Sequence, residues 1–169
     1  MLDGPFAAAG GGAVGGVEVS LVRRCAGALA FLVMGVTGDV RTPLILEFAS
    51  ELGEIARVRA AIDDWCAQVA TTDELRGRLR LAVTEACTNC VLHADCGGTE
   101  TSRFLINVRV EDHDRVVLVR DCGVGARDLQ ARAHGGLGLR IIDCEADALY
   151  VSSKPGRGTS VGMRFALTP

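Results

Sequence analysis

Lysine is nearly absent from this chain: of its 18 basic residues, 17 are arginines and one is Lys154. That scarcity removes two large classes of nucleotide enzyme. A P-loop needs Gly-x-x-x-x-Gly-Lys-Ser/Thr so that the lysine reaches the phosphates, and a kinase of the eukaryotic type needs a strand lysine with a catalytic-loop aspartate. Lys154, in Ser152-Ser-Lys-Pro-Gly156, serves neither. Charge of one sign is also lacking. With 18 basic against 21 acidic residues the net charge is −3, so no polycation points to direct nucleic-acid binding, and a protein or small-molecule partner is expected. No apolar run is long enough to span a bilayer. The longest candidate, Ala26–Val36 after Arg23 and Arg24, resembles a signal-peptide core but is too short and lies far from the N-terminus. No membrane association is expected.

Cysteine is not scarce. Seven is an odd number, the residues are scattered, and several fall at apolar helix positions, as buried thiols do in a reducing compartment. A cytoplasmic protein is the expectation. At 169 residues and 49% apolar content, the chain can bury one full core without disulfides or metals.

The first forty residues carry nine of the 21 glycines, including the run Gly10-Gly-Gly-Ala-Val-Gly-Gly16. Such a segment loses much entropy on ordering, so residues 1–40 are predicted to be a flexible Gly/Ala-rich extension and residues 41–169 the folded domain. An alternative is that translation begins near Met34. Leu44–Phe48 opens the domain as a strand. Ile55, Val58, Ile62, Trp65 and Val69 recur at helical steps, giving an amphipathic helix whose stripe serves the core, a dimer face, or both. Thr71 with Glu74 is a candidate capping box for a second helix running to about His93. Strands at Phe104–Val110 and Val116–Val119 form a hairpin about Asp112-His-Asp114. A short helix at Ala126–Ala133, a better one at Gly136–Leu149 with Leu137, Ile141 and Ala148 on one side, and strands at Tyr150–Ser153 and Thr159–Leu167 complete the chain. The order β-α-α-β-β-α-β-β predicts an α/β fold: one mixed sheet with helices on one face.

Chemistry concentrates on the second helix and the segment after it. Glu85 and Asn89 are four residues apart, which sets a carboxylate and an amide side by side on one face; His93 joins them, while Val83, Cys87 and Cys90 turn to the far side. Taken alone, this pair also describes a solvated helix face. Asp121 ends an apolar strand and leads into Asp121-Cys-Gly-Val-Gly125, and a second box, Gly135-Gly-Leu-Gly-Leu139, opens a helix. Glycines let backbone approach a ligand, and helix N-terminal N–H groups can meet phosphate. Alone, each box is also an ordinary turn. Cys87-Thr-Asn-Cys90 with Cys96 has a zinc-ligand spacing, but both helical thiols would turn into the core and no second ligand pair follows.

In order and spacing, the Glu85/Asn89 helix and the two glycine boxes resemble the N, G1 and G2 boxes of the GHKL ATPase superfamily, and within it the small bacterial anti-sigma-factor serine/threonine kinases. The resemblance covers roughly residues 44–167 and implies a two-layer α/β sandwich of the Bergerat type, with a mostly antiparallel sheet. It implies ATP and Mg²⁺ as cofactors: Asn89 would hold the metal, Glu85 would be the general base, and Asp121 would accept a hydrogen bond from the adenine amino group. Gly123 and Gly125 would let the backbone pass the base, Gly136 and Gly138 would face phosphate, and Thr159, in Gly156-Arg-Gly-Thr159, would help bind adenine. A sigma factor and an anti-anti-sigma antagonist would be the partners, and a homodimer the assembly. Cys90, Asp95 and Ala126 depart from the family pattern, which bears on partner preference. About ten residues between Gly125 and Gly135 are too few for a sensor-kinase lid, and no helix with a phospho-accepting histidine precedes the domain. The alternatives are a non-catalytic nucleotide-gated binding module and an ATPase subunit of another signalling complex.

Overall fold

The computed structural model describes residues 19–22, 41–93, 102–123, 125, 137–154 and 156–167. Six strands form one sheet: β1 (Val19–Val22), β2 (Arg41–Ala49), β3 (Arg103–Glu111), β4 (Asp114–Asp121), β5 (Ala148–Ser153) and β6 (Thr159–Phe165). Their order across the sheet is β1-β5-β6-β4-β3-β2. Each of these pairings is antiparallel. The helices are α1 (Glu54–Gln68), α2 (Asp73–His93) and α3 (Leu137–Glu145). This is the predicted α/β sandwich with a mostly antiparallel sheet.

Side-chain alternation builds the core. Register rows cross the sheet as Leu46, Ile106, Val119, Val161, Val151 and as Leu44, Val108, Val117, Met163, Leu149. Against this face lie Ile55, Val58, Ile62 and Trp65 of α1 and Leu79, Val83, Ala86, Cys87 and Cys90 of α2, all buried. The α1 stripe therefore goes into the core. At one end of the sheet the Phe48 and Phe104 rings stack at 5.6 Å between centroids. Gly77, exposed within α2 with open space around it, costs about 1 kcal/mol of helix propensity. Burying each large apolar side chain of α2 contributes about 1.5–3 kcal/mol, so packing decides that the helix continues.

Local chemistry sets the connections. The β3–β4 hairpin turns on Asp112 and His113, both at positive φ (48° and 78°), the geometry of a two-residue turn that follows the sheet's twist. Buried Arg115 donates to the Val69 carbonyl at 2.8 Å and to the Thr71 hydroxyl at 3.4 Å, placing a cation at the C-terminal end of α1. Thr71 is thus engaged by the sheet, and the α2 cap is its neighbour. The Thr72 hydroxyl accepts the Leu75 N–H at 3.3 Å, replacing the predicted Thr71/Glu74 box.

Two further observations bear on the sequence expectations. Val19–Val22 lies inside the segment predicted to be a flexible extension, yet it pairs with β5, Val19 opposite Ser153 and Val22 opposite Tyr150; a short β-rich run next to an open sheet edge satisfies backbone groups that would otherwise face solvent. The rest of residues 1–40, with Ala26–Val36, lies outside the described residues, as do Asp95, Cys96 and the helix expected at Ala126–Ala133. The helix predicted to run to Leu149 ends at Glu145. Asp147 draws the chain into the sheet, its N–H donating to the Arg164 carbonyl at 2.9 Å and its carboxylate accepting the Ala166 N–H at 2.8 Å. Ala148 and Leu149 are consequently in β5, and the buried residue of α3 is Ile142, with Leu137 exposed.

Candidate functional site

The inward-facing rows of the sheet change character at one end. Phe104 is opposite Asp121, and Ser153 is opposite Thr159, so the last row turns from apolar to polar. Asp121 is buried. Its Oδ1 accepts the Gly123 N–H at 2.8 Å and the Thr159 N–H at 3.1 Å, which fixes the carboxylate plane. Thr159 and Ser153 share a hydroxyl hydrogen bond of 2.9 Å, and the Ser153 hydroxyl donates to the Gly158 carbonyl at 3.3 Å.

Two glycines make this packing possible. Gly158 has φ +76°, and a Cβ there would fall 2.1 Å from the Asp121 carbonyl oxygen. Gly125 has φ +70°, and its Cβ would fall 2.2 Å from the Lys154 carbonyl oxygen. Both need the left-handed conformation and the absence of a side chain. The G1 box thus closes, backbone to backbone, onto the β5–β6 turn. That turn is tightened by the Lys154 N–H on the Gly158 carbonyl at 3.2 Å and the Arg157 N–H on the Lys154 carbonyl at 2.9 Å.

A second cluster lies where α2 meets the start of α3. A Cβ on Gly138 would lie 3.2 Å from Glu85 Oε2, 3.2 Å from Asn89 Nδ2 and 3.3 Å from Asn89 Oδ1. The expected quadrant of α2 therefore faces the first turn of α3, whose N–H groups have no partner within the helix and carry the positive end of its dipole. Carboxylate, amide and N–H donors converge here. Asn89 and Glu85 supply hard oxygens, which suits Mg²⁺, an ion that takes one or two protein oxygens and keeps waters and substrate phosphates. The donor set fits a metal bound together with a phosphate ligand. Among the described residues no group of three or more His, Cys, Asp or Glu side chains could hold a metal by itself.

The far side of α2 is core, as its sequence predicted. Burial pushes the Cys87 and Cys90 thiols well above their ordinary value, which keeps them protonated and unreactive. Cys90 lies close enough to Asp121 to feel its charge, so one helix borders both clusters. His93 is exposed at the end of α2.

Of the sequence-derived site residues, Glu85, Asn89 and Gly138 come together, as do Asp121, Gly123, Gly125 and Thr159. Gly136 lies outside the described residues. Sequence reasoning missed Ser153, Gly158 and the Lys154 carbonyl. The available signal was Gly156-Arg-Gly-Thr159, of which the resemblance singled out Thr159 alone.

Residues 48–165 match the histidine kinase-like ATPase domain family. The anti-sigma F factor of Pasteuria penetrans is 33% identical over 134 residues, covering 73% of this chain and 89% of that protein. The anti-sigma F factor of Bacillus subtilis (strain 168) is 25% identical over 136 residues, 72% of this chain and 90% of that protein. A solved structure of the RsbU and RsbW domains of Rv1364c from Mycobacterium tuberculosis superposes with a TM-score of 0.61 at 17% identity, over 76% of this chain and 33% of that one; it supports the fold. Among the described residues no helix is long and apolar enough to cross a membrane. The converging N-box helix and glycine boxes have the same meaning as these matches: the chain belongs to the histidine kinase-like ATPase domain family, on its anti-sigma-factor branch.

Proposed function

We propose that the protein is a Mg²⁺- and ATP-dependent serine/threonine kinase of the anti-sigma type. It binds a sigma factor and phosphorylates an anti-anti-sigma antagonist. The observation that carries this is the meeting of Glu85 and Asn89 with Gly138 at the head of α3. Asp121, held by two backbone N–H groups, accepts the adenine amino hydrogen and so favours adenine over guanine, with Gly123, Gly125 and Thr159 shaping that end. The first turn of α3, with Gly138, meets the phosphates, and the resemblance gives the same role to Gly136. Asn89 would hold a Mg²⁺, and that ion would offset phosphate charge during transfer. Glu85 takes the proton of a serine or threonine hydroxyl as its oxygen bonds to the γ-phosphorus; the bond from that phosphorus to the bridging oxygen breaks and ADP leaves.

The names of the relatives support the partner assignment, and the balanced charge of the chain accords with protein rather than direct nucleic-acid contact. We place the kinase in the cytoplasm, as a homodimer, with residues 41–169 as its ATP-binding domain. The test uses partners captured by pull-down, incubated with γ-labelled ATP. Label on a serine or threonine of the antagonist is expected, and Glu85→Gln should keep ATP affinity while slowing transfer by about two orders of magnitude. A stable partner never labelled, with Glu85→Gln behaving as the parent, would instead identify a nucleotide-gated binding module.

A further inference from the structure

Arg78 lies away from both clusters, yet it is tied to one of them through α3. Its guanidinium donates twice to the Glu145 carbonyl, from Nε at 2.9 Å and Nη2 at 2.6 Å. Glu145 is the last residue of α3, so this carbonyl has no partner within the helix, and the cation sits at the negative end of the helix dipole. Asp147 holds the same guanidinium as well, its Oδ1 accepting from Nη2 at 3.2 Å. The group also lies 6.0 Å from the centre of the Phe165 ring. Arg78 is therefore fixed by the sheet and the approach to β5, and it in turn fixes the end of α3.

The other end of α3 is the phosphate cluster, with Gly138 against Glu85 and Asn89. Arg78 and Glu85 are seven residues apart on α2, and Gly138 and Glu145 are seven apart on α3. Seven residues return a helix to nearly the same face about 10 Å further along. The two helices thus run antiparallel in matched register, joined by a charged grip at one end and by the close approach of Gly138 at the other. α3 has nine residues with only Ile142 fully buried, too short to be stable alone.

The geometry points to Arg78 as a positioning residue for nucleotide binding: by anchoring the C-terminal carbonyl of α3 it sets where the first turn of that helix meets the phosphates of the ligand. The inference builds on the proposed ATP site. Arg78 touches no reacting atom, so the effect must fall on phosphate recognition and spare the adenine end, which is held by the sheet.

The test compares ATP with adenosine by heteronuclear NMR titration of the full chain with Mg²⁺, for the parent, Arg78→Met and Arg78→Lys. Methionine keeps an apolar stem over Phe165 and removes the donors. ATP affinity is expected to fall about tenfold or more in Arg78→Met, the range for losing charged hydrogen bonds, with adenosine affinity unchanged. Arg78→Lys keeps the charge without the forked donors and should recover part of the loss; it also provides the reading if Arg78→Met does not fold. Equal losses for ATP and adenosine in the folded variant, or no loss for either, would reduce Arg78 to a general stabiliser and overturn the inference. A parent that binds adenosine and ATP equally would defeat the phosphate site itself, a failure visible before any variant is made.

Discussion

At the proposed adenine end, Asp121, Gly123 and Thr159 are tied to one another by backbone hydrogen bonds at the rim of a paired sheet; at the proposed phosphate end, Glu85, Asn89 and Gly138 meet through contacts between two helices. The first region depends on atoms that every residue has, arranged by register and by two glycines at positive φ. The second depends on particular side chains and on a nine-residue helix with one fully buried residue. Backbone assembled in a sheet has little freedom to adjust, whereas a short helix packed on a longer one can shift by small amounts when a side-chain contact is lost. The same ligand would thus be read by a rigid half and a tunable half. Substitutions at the first should act on fold and binding together, and substitutions at the second should separate them.

The largest effect is expected from Gly158→Ala. Its Cβ would meet the Asp121 carbonyl at 2.1 Å with φ at +76°, a backbone clash that no side-chain rotation relieves. Left-handed strain and overpacking together should cost about 3 kcal/mol or more. Urea unfolding should show this loss, with nucleotide binding abolished in parallel. Retention of parental stability would mean that the adenine end is less tightly built than its hydrogen bonds indicate.

Asp121→Asn sharpens the contrast within the adenine end. An amide oxygen can still accept from the Gly123 and Thr159 N–H groups, so the fold should survive. Its NH₂ group would then compete with the donors around it, and ATP affinity should drop by about 1–3 kcal/mol. Calorimetry against ATP and GTP checks both the loss and the selectivity. Asn89→Ala at the other end should weaken ATP mainly when Mg²⁺ is present. If both variants show the same Mg²⁺ dependence, the two halves do not divide the ligand as proposed.

Helices and strands were largely legible because apolar period and turn chemistry agreed. The stripe from Ile55 to Trp65 did become core, and the Asp112-His-Asp114 hairpin turned where the sequence placed it. The same local signals could not separate Thr71 from Thr72 as the cap of α2, since Arg115, more than forty residues away, decides which hydroxyl is engaged. They could not end α3 at Glu145 either, because the pull of Asp147 toward Arg164 and Ala166 is tertiary. Glu85, Asn89 and Gly138 were readable from the resemblance and now share one place. Ser153 and Gly158 were not, for their roles rest on hydroxyl and carbonyl contacts within a turn that sequence marks only as a turn.

The back of α2 offers a test of how firmly the helix bordering both halves is fixed. Cys87 and Cys90 are buried there, and burial raises both thiols above the ordinary value of 9.0. Their folded-state values exceed those of the unfolded chain, so the protonated thiols contribute stability below about pH 9. That contribution is lost as pH rises further, because the unfolded chain ionises first. Each such thiol should steepen the fall by about 1.4 kcal/mol per pH unit. Urea midpoints in reductant between pH 8 and 10.5 should show the decline, and Cys87→Ala should remove about one proton from its slope. A flat profile would mean that α2 opens readily and is no firm boundary for either half.

The smallest effect should come from removing residues 1–40. The deletion takes away β1, four residues paired along β5, and it bears on the adenine end because Val19 is opposite Ser153. The edge hydrogen bonds lost are each worth about 0.5–1.5 kcal/mol net, and against them stands an ordering cost of about 1–2 kcal/mol per residue that the truncated chain no longer bears. The two nearly offset, so urea stability should change by about 1 kcal/mol or less. ATP affinity should hold, since Ser153 keeps its bonds to Gly158 and Thr159 from within β5 and β6. Loss of cooperative unfolding in the truncated chain would move the domain boundary upstream of Val19. Loss of ATP affinity with stability intact would instead show that β1 braces Ser153, making the edge strand part of the rigid half of the site.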